Sequence, residues 1–449
     1  MEVNFQICHY WRSQCAMKEV SMKQGQRQAN VERSRKPVKS RASRWFSLSE
    51  KMFWVCYLLL LVIHCVENTS VIYSQARWLD GMYLFRNGLY LVLIGKLALF
   101  SLYERGELVC ALFFGAVALA GALASGEMGL LEFFVIMLAA KDVSPRRLVR
   151  VFAAVKAAGL ALTVFLWSRG LLDAMYYQDD QVGYYNTYGF CHRNVLAANV
   201  VALCLAWFYL RYRRMKLWDA VLWCGAAAVM YRFALSRTGL IVLLLTVAAM
   251  LLFRWKQRAL FALPKFQKYV LGAFLGLLAV SVLGTVFYSG DSGFWQFVDG
   301  IFTKRFRFAH QCLEEYGLSL FGQRLPFVSS MEAQSTDAVR LILDNSYMRA
   351  LLSYGVIPGG VFLGLYAAAL GKSVKKRSGR LTVCLLVFAV FGLSERYMLD
   401  VYYQFPLLAA WSGCFFKRNS PAQKRRSFPG HLHTLAKAVA RRTRERRSL

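Results

Sequence analysis

Two short polar segments carry the residue types best suited to chemistry. One is Tyr188-Gly189-Phe190-Cys191-His192-Arg193-Asn194, and the other is Ser236-Arg237-Thr238-Gly239. Each lies at the mouth of a hydrophobic run, and each places a fixed or potential cation there. A guanidinium at that depth is costly unless an anion offsets it. The anion found at that level is a lipid-linked phosphate. Arg305 and Arg307 extend the set, followed by Arg324 and Arg340. The planar guanidinium binds phosphate bidentately and stays charged at any relevant pH. Such a group would hold a polyprenyl pyrophosphate and stabilise the charge growing on it as a leaving group.

Transfer of a sugar also needs a base for the acceptor hydroxyl proton. His310, Glu314, Asp344 and the pair Asp179-Asp180 are the candidates. His192 has no partner at metal-ligand spacing and reads as a hydrogen-bonding group near the headgroup. Adjacent carboxylates alone do not define a divalent-ion site, so neither a metal nor a cofactor is expected. Each residue also has a structural role open to it. Arg237 suits a helix cap or a snorkelling side chain, and Arg193 a partner for a headgroup. Arg305 and Arg307 suit the basic face of an interfacial helix, His310 its surface, and Asp344 a helix cap.

The elements that must position these residues follow from composition. Of 449 residues 57% are hydrophobic and 15% aromatic, with a mean hydropathy of +0.37. Many apolar runs approach the roughly 20 residues a bilayer requires. Lipid-facing amides need internal partners, so an all-α polytopic membrane protein is expected. Twelve spans are predicted: 52–66, 81–103, 108–123, 129–140, 149–167, 195–210, 217–231, 240–253, 269–287, 347–370, 381–393 and 401–416. Residues 1–51 read as a basic cytoplasmic arm without apolar periodicity, and 417–449 as a basic cytoplasmic tail. Met52 opens the first apolar run and is an alternative start.

The formal charge of +31 resembles a nucleic-acid signature until the cations are placed. They gather in both tails and in alternate loops, including 141–147, 211–214, 254–268 and 372–380. The remaining loops hold most acids, among them Glu67, Asp80, Asp173, Asp291, Glu314 and Asp344. That is the positive-inside pattern, with both termini cytoplasmic. No nucleic-acid motif accompanies the charge, so nucleic acid is excluded as a partner; membrane lipids fit instead. Eleven cysteines show no C-x-x-C pair. Cys191 and Cys312 fall on the same outer side, which leaves a disulfide open.

The stretch 288–345, between spans nine and ten, is the longest extracytoplasmic loop. Phe302, Phe306, Ala309, Leu313 and Tyr316 recur at helical spacing there, which predicts an amphipathic helix on the membrane surface.

Taken with Phe302-Thr303-Lys304-Arg305, 316–322, 343–347 and 354–357, the two opening segments resemble the O-antigen ligase/polymerase superfamily. The similarity is strongest to Wzy-type polymerases of polysaccharide repeat units, and covers roughly 52–416. The resemblance implies a GT-C-like helical fold and a bacterial plasma-membrane location. It also implies metal-independent, inverting transfer of a glycan from an undecaprenyl-pyrophosphate-linked oligosaccharide on the outer face. Flippases and chain-length regulators are the partners implied. Arg237 and Arg305 match the family's arginine positions best, with Arg193 and His192 as further pyrophosphate contacts. The chain departs at Cys191 and Arg193, where Gly-His-Pro-Asn is usual. Two alternatives stay open: ligase-type transfer of a finished glycan, and a non-enzymatic transporter or flippase.

Overall fold

Leucine, valine and alanine runs with few formal charges give long helices, since each closes its own backbone bonds without water. The computed structural model describes residues 41–73, 77–101, 103, 105–141, 143–173, 176–179, 183–328 and 341–412. Most of the N-terminal arm, the tail beyond Ser412, Asp180 and Arg340 lie outside these. Among the described residues, eight helices are long and apolar enough to cross a membrane. They are α1 (Arg41–Glu67), α2 (Trp78–Phe100), α3 (Arg105–Ser125), α5 (Pro145–Ser168), α6 (Arg193–Arg211), α8 (Arg237–Ala262), α9 (Phe266–Val286) and α13 (Val356–Lys375). Shorter helices fill the body: α4 (Gly129–Ala139), α7 (Leu217–Ala234), α12 (Ser346–Leu352), α14 (Gly379–Phe391) and α15 (Phe405–Ala410). Leu84, Leu91 and Leu99 on α2 and Leu112 and Leu123 on α3 are largely exposed. Apolar side chains turned outward in that number suit lipid rather than water. The chain is a multi-pass, helical membrane protein.

Helices overlap the stretches expected as spans, but eight of them reach membrane-crossing length against the twelve expected, and three local differences stand out. Helix α1 begins at Arg41, inside the expected arm, where Glu50 accepts from Trp54 at 3.1 Å and from Arg147 at 3.0 Å. Expected span ten is broken into α12 and α13 by Ser353, Tyr354 and Gly355. Gly355 has φ +94°, and a Cβ there would lie 2.2 Å from Gly322 N. Val356 N and Ile357 N donate to Ser319 O and Leu320 O, both at 2.9 Å, instead of continuing a helix. Expected span twelve begins with an irregular turn at 400–404 before α15.

Helix α6, the most enclosed of the long helices, packs against α5, α7, α8 and α14. Between α5 and α6 lies a short antiparallel hairpin, β1 (Tyr176–Asp179) and β2 (Gly183–Asn186), pairing Tyr176 with Asn186. The long loop holds α10 (Gly293–Phe302) and α11 (Arg305–Tyr316). The predicted amphipathic helix is present as α11, but its buried face is Arg305, Phe306, Ala309 and Cys312. Phe306 seats over Gly284 of α9, where a Cβ would meet its ring at 2.5 Å. Cys191 and Cys312 are both free thiols.

Candidate functional site

The segment before α6 is bent by Tyr188 (φ 53°) and Gly189 (φ 81°). Gly189 is needed there, because a Cβ would sit 2.9 Å from that of Trp167. Hydrogen bonds from Ser70 N to Gly189 O and from Cys191 N to Asn68 O, each 2.9 Å, fasten the bend to the end of α1. His192 then caps α6, its Nδ1 accepting from Asn194 N at 3.2 Å. This frees the Asn194 side chain to face two other segments. Its Nδ2 donates to Glu395 Oε1 at 2.7 Å, and its Oδ1 accepts from Ser236 Oγ at 3.2 Å. Ser236 Oγ caps α8 by accepting from Gly239 N at 3.3 Å. Gly239 lets α8 approach α6 closely, since a Cβ there would lie 2.7 Å from Ala197 Cβ.

Arg305 joins the same network from the long loop. Thr303 and Lys304 both take left-handed backbone angles, φ 55° and 62°, a strained pair for residues with a Cβ. The turn swings the Arg305 guanidinium inward, where it pairs with Asp344 and donates from Nη2 to Glu395 Oε1 at 3.2 Å. Asp344 stands immediately before α12, whose cap is Asn345: its Oδ1 accepts from Tyr347 N at 3.0 Å and Met348 N at 3.2 Å. Glu395 is fixed by its own backbone, as Ser346 Oγ donates to Glu395 O at 2.6 Å. Four segments distant in sequence thus meet on Arg305, Asp344, Glu395 and Asn194.

The two carboxyls behave differently. Burial drives the Glu395 carboxyl up to about 7; Arg305 opposes the rise and the neighbouring Asp344 charge adds to it. Burial pushes Asp344 the same way, but Arg305, Arg396 and His192 outweigh it and hold it below the usual carboxylate range. One acid therefore keeps its charge while the other is poised to exchange a proton near neutrality, the division of labour expected of an acid–base pair.

Beside this network opens a cavity of about 400 Å³. Arg396, which is exposed, belongs to its wall and has Asp344 and Asp400 as electrostatic neighbours. Arg86 of the wall pairs with Glu67 at 2.7 Å and Glu132 at 3.6 Å, and Arg349 pairs with Glu127 at 2.9 Å. The Arg349 guanidinium lies 4.5 Å over the Phe327 ring. Paired planar polar groups interleaved with Tyr402, Tyr354 and Phe327 suit a ligand that carries hydroxyls on an apolar ring. Among the described residues, no group of three His, Cys, Asp or Glu is placed to hold a metal ion.

Of the residues singled out from sequence, Arg305 and Asp344 join directly, while His192 and Ser236 cap the helices that carry the rest. Arg193 is buried at the first position of α6, and Arg237 is exposed at the first position of α8, next to Ser236. The Arg305 guanidinium, 8% exposed, is already held between two carboxylates rather than open to a phosphate. His310 and Glu314 lie elsewhere. His310 Nδ1 is 2.9 Å from Thr285 O, and its Nε2 is 3.3 Å from Glu314, forming a separate pair against α9. Asn194 closes the first segment marked in the sequence but carries no role of its own there, and Glu395 and Arg396 fall outside every segment so marked. Glu395-Arg396 interrupts two apolar runs on the acid-rich side, and that interruption is the signal that would have found them.

Neither family models, nor curated proteins, nor solved structures give a match to this chain.

Proposed function

We propose that the protein is a membrane glycosyltransferase that joins lipid-linked oligosaccharide repeat units at the outer face of a bacterial plasma membrane. The reading rests first on the resemblance of its polar segments to Wzy-type polymerases. The observation that carries it is the meeting of those segments in one network, with a held carboxylate, a carboxyl near neutral pKa and two exposed guanidiniums beside it.

In this reading Arg237, at the positive end of α8, and Arg396 take the donor's pyrophosphate; a helix N-terminus adds to their attraction for an anion. Arg305 positions the acids instead of touching the phosphate. The acceptor hydroxyl oxygen attacks the donor's anomeric carbon, and the bond from that carbon to the phosphate oxygen breaks. The hydroxyl proton passes to Glu395, and undecaprenyl pyrophosphate leaves with the bonding electron pair. The cavity beside Arg396 accommodates the acceptor sugar. Expected partners are the lipid-linked oligosaccharide, a flippase that delivers it and a chain-length regulator.

The test is reconstitution of the full chain with undecaprenyl-pyrophosphate-linked repeat units extracted from cells that accumulate them. Wild-type protein should yield a ladder of polymer. Arg237→Ala should lower the rate by about 10²–10³, the scale of losing one group that stabilises developing negative charge, and Arg237→Lys should restore part of it. Full polymer from Arg237→Ala would remove Arg237 from the mechanism. A single transfer to another acceptor, without a ladder, would make the protein a ligase.

A further inference from the structure

A second cavity, of about 610 Å³, lies at the other end of the helices that carry the network. It is reached along α6, whose 19 residues from Arg193 to Arg211 span about 28 Å. It also touches the start of α14, whose far end leads to Glu395. Among the described residues its lining holds seven Lys and Arg, including Arg146, Arg213, Arg214, Arg377 and Arg380, and no carboxylate. Charge bias between loops accounts for cations on this side of a membrane protein. It does not account for their convergence on one hollow. The neighbouring basic stretch at the end of α8 shows the difference. Arg254, Lys256 and Arg258 are exposed there, and only the uncharged Gln257 enters the wall.

The hollow is tied together rather than loosely assembled. Tyr212 Oη donates to Gln257 Oε1 at 2.7 Å, joining the α6 end to α8. Gly379 passes so close beneath Tyr212 that a Cβ would lie 2.1 Å from its Oη. Arg380 lies 4.7 Å over the Tyr209 ring. Arg377 takes a left-handed turn, with φ 49°, and Arg146 Nη2 donates to Leu210 O at 3.5 Å. Ser378, before α14, makes no side-chain cap bond, so the positive end of a 13-residue helix adds to the same field. Arg211 of the cationic wall pairs with Asp219 at 3.2 Å, whereas among the described residues no carboxylate lies at ion-pair distance from Arg146, Arg213, Arg214, Arg377 or Arg380. Like charges held this close repel one another until an anion enters.

We propose that this cavity is a binding site for a multiply charged phosphate. The same chemistry has two sources at this depth: the headgroup of an anionic phospholipid, or a soluble anion of the pyrophosphate class. The site is independent of the transfer reading, since no residue of the Asp344–Glu395 network lines it.

The experiment uses the full chain in nanodiscs. In one arm the discs are pure phosphatidylcholine and inorganic pyrophosphate is titrated by calorimetry. In the other the discs contain cardiolipin, whose headgroup carries two phosphates, and lipid retained after extraction is counted by native mass spectrometry. Arg213→Ala/Arg377→Ala is compared with Arg254→Ala/Lys256→Ala, which removes the same charge outside the cavity. The cavity double variant should weaken retention of the bound probe by about tenfold or more, the scale of losing two charge-assisted phosphate contacts. The control should change it less than about twofold, and added salt should weaken the wild type. Pyrophosphate binding identifies a soluble ligand, and retention of cardiolipin alone identifies a lipid headgroup. Equal losses in the two variants, or no retention of either probe by the wild type, would overturn the proposal.

Discussion

Replacing Glu395 by Gln tests the chemistry at its centre. The Glu395 carboxyl is raised from 4.5 to about 7 by burial against the opposing pull of Arg305, a rise equivalent to about 3 kcal/mol. Two consequences follow, with opposite pH senses. As a base, Glu395 is active only when ionised, so wild-type turnover should fall about tenfold per pH unit below about pH 7. For stability, the folded state binds the proton more tightly than the unfolded chain between 4.5 and about 7. Stability therefore declines as pH rises through that window and levels off above it. Gln keeps an oxygen for Asn194 but takes no proton. Turnover should drop by about 10²–10⁴, the ordinary worth of a positioned base, and the acidic limb should vanish. The decline of thermal stability between about pH 5 and 7 should flatten in the same variant. Reconstituted transfer from about pH 5 to 9, with thermal unfolding of the purified protein alongside, reads both effects. Turnover within twofold of wild type and an unchanged acidic limb would refute the assignment of Glu395 as base.

Arg305→Met leaves Asp344 and Glu395 facing each other without their shared cation. It should cost about 3–5 kcal/mol, read by thermal unfolding, and adding Asp344→Asn should recover part of the loss. Gly355→Ala combines φ +94° with a Cβ 2.2 Å from Gly322 N. It should cost more than about 2 kcal/mol and reduce the monodisperse fraction in size-exclusion chromatography. Asn345→Ala removes the cap of α12 and the partner of Ser281 Oγ at 2.9 Å; thermal unfolding should show a loss of about 1–2 kcal/mol.

The long helices were legible because a lipid-facing wall needs uninterrupted apolar side chains, and Leu84, Leu91 and Leu99 are simply those. The break at Ser353–Gly355 was not, because Val356 and Ile357 continue the apolar run. It is enforced by Ser319, Leu320 and Gly322 from the long loop, which no local pattern reveals. The spacing that predicted α11 was sound, yet it left Arg305 off the buried face. Pattern reading sends charge outward, whereas Asp344 and Glu395 draw this one in. His310 follows from the same helix, and its position turns it toward Thr285 instead. Arg237 and Asn194 sit in segments that the resemblance had already marked. Glu395 acquires its character only when Asn194 and Arg305 arrive from far along the chain, so its sequence neighbours could not disclose it.

The most direct measurement counts the leaving group. Purified protein in liposomes is supplied with undecaprenyl-pyrophosphate-linked repeats, and undecaprenyl pyrophosphate and glycan length are quantified together by mass spectrometry. Bond formation by the proposed route releases one undecaprenyl pyrophosphate for every repeat joined, and Glu395→Gln suppresses both in parallel. Lipid-linked repeats that cross the bilayer intact, with neither product appearing, would contradict the account and make the protein a transporter.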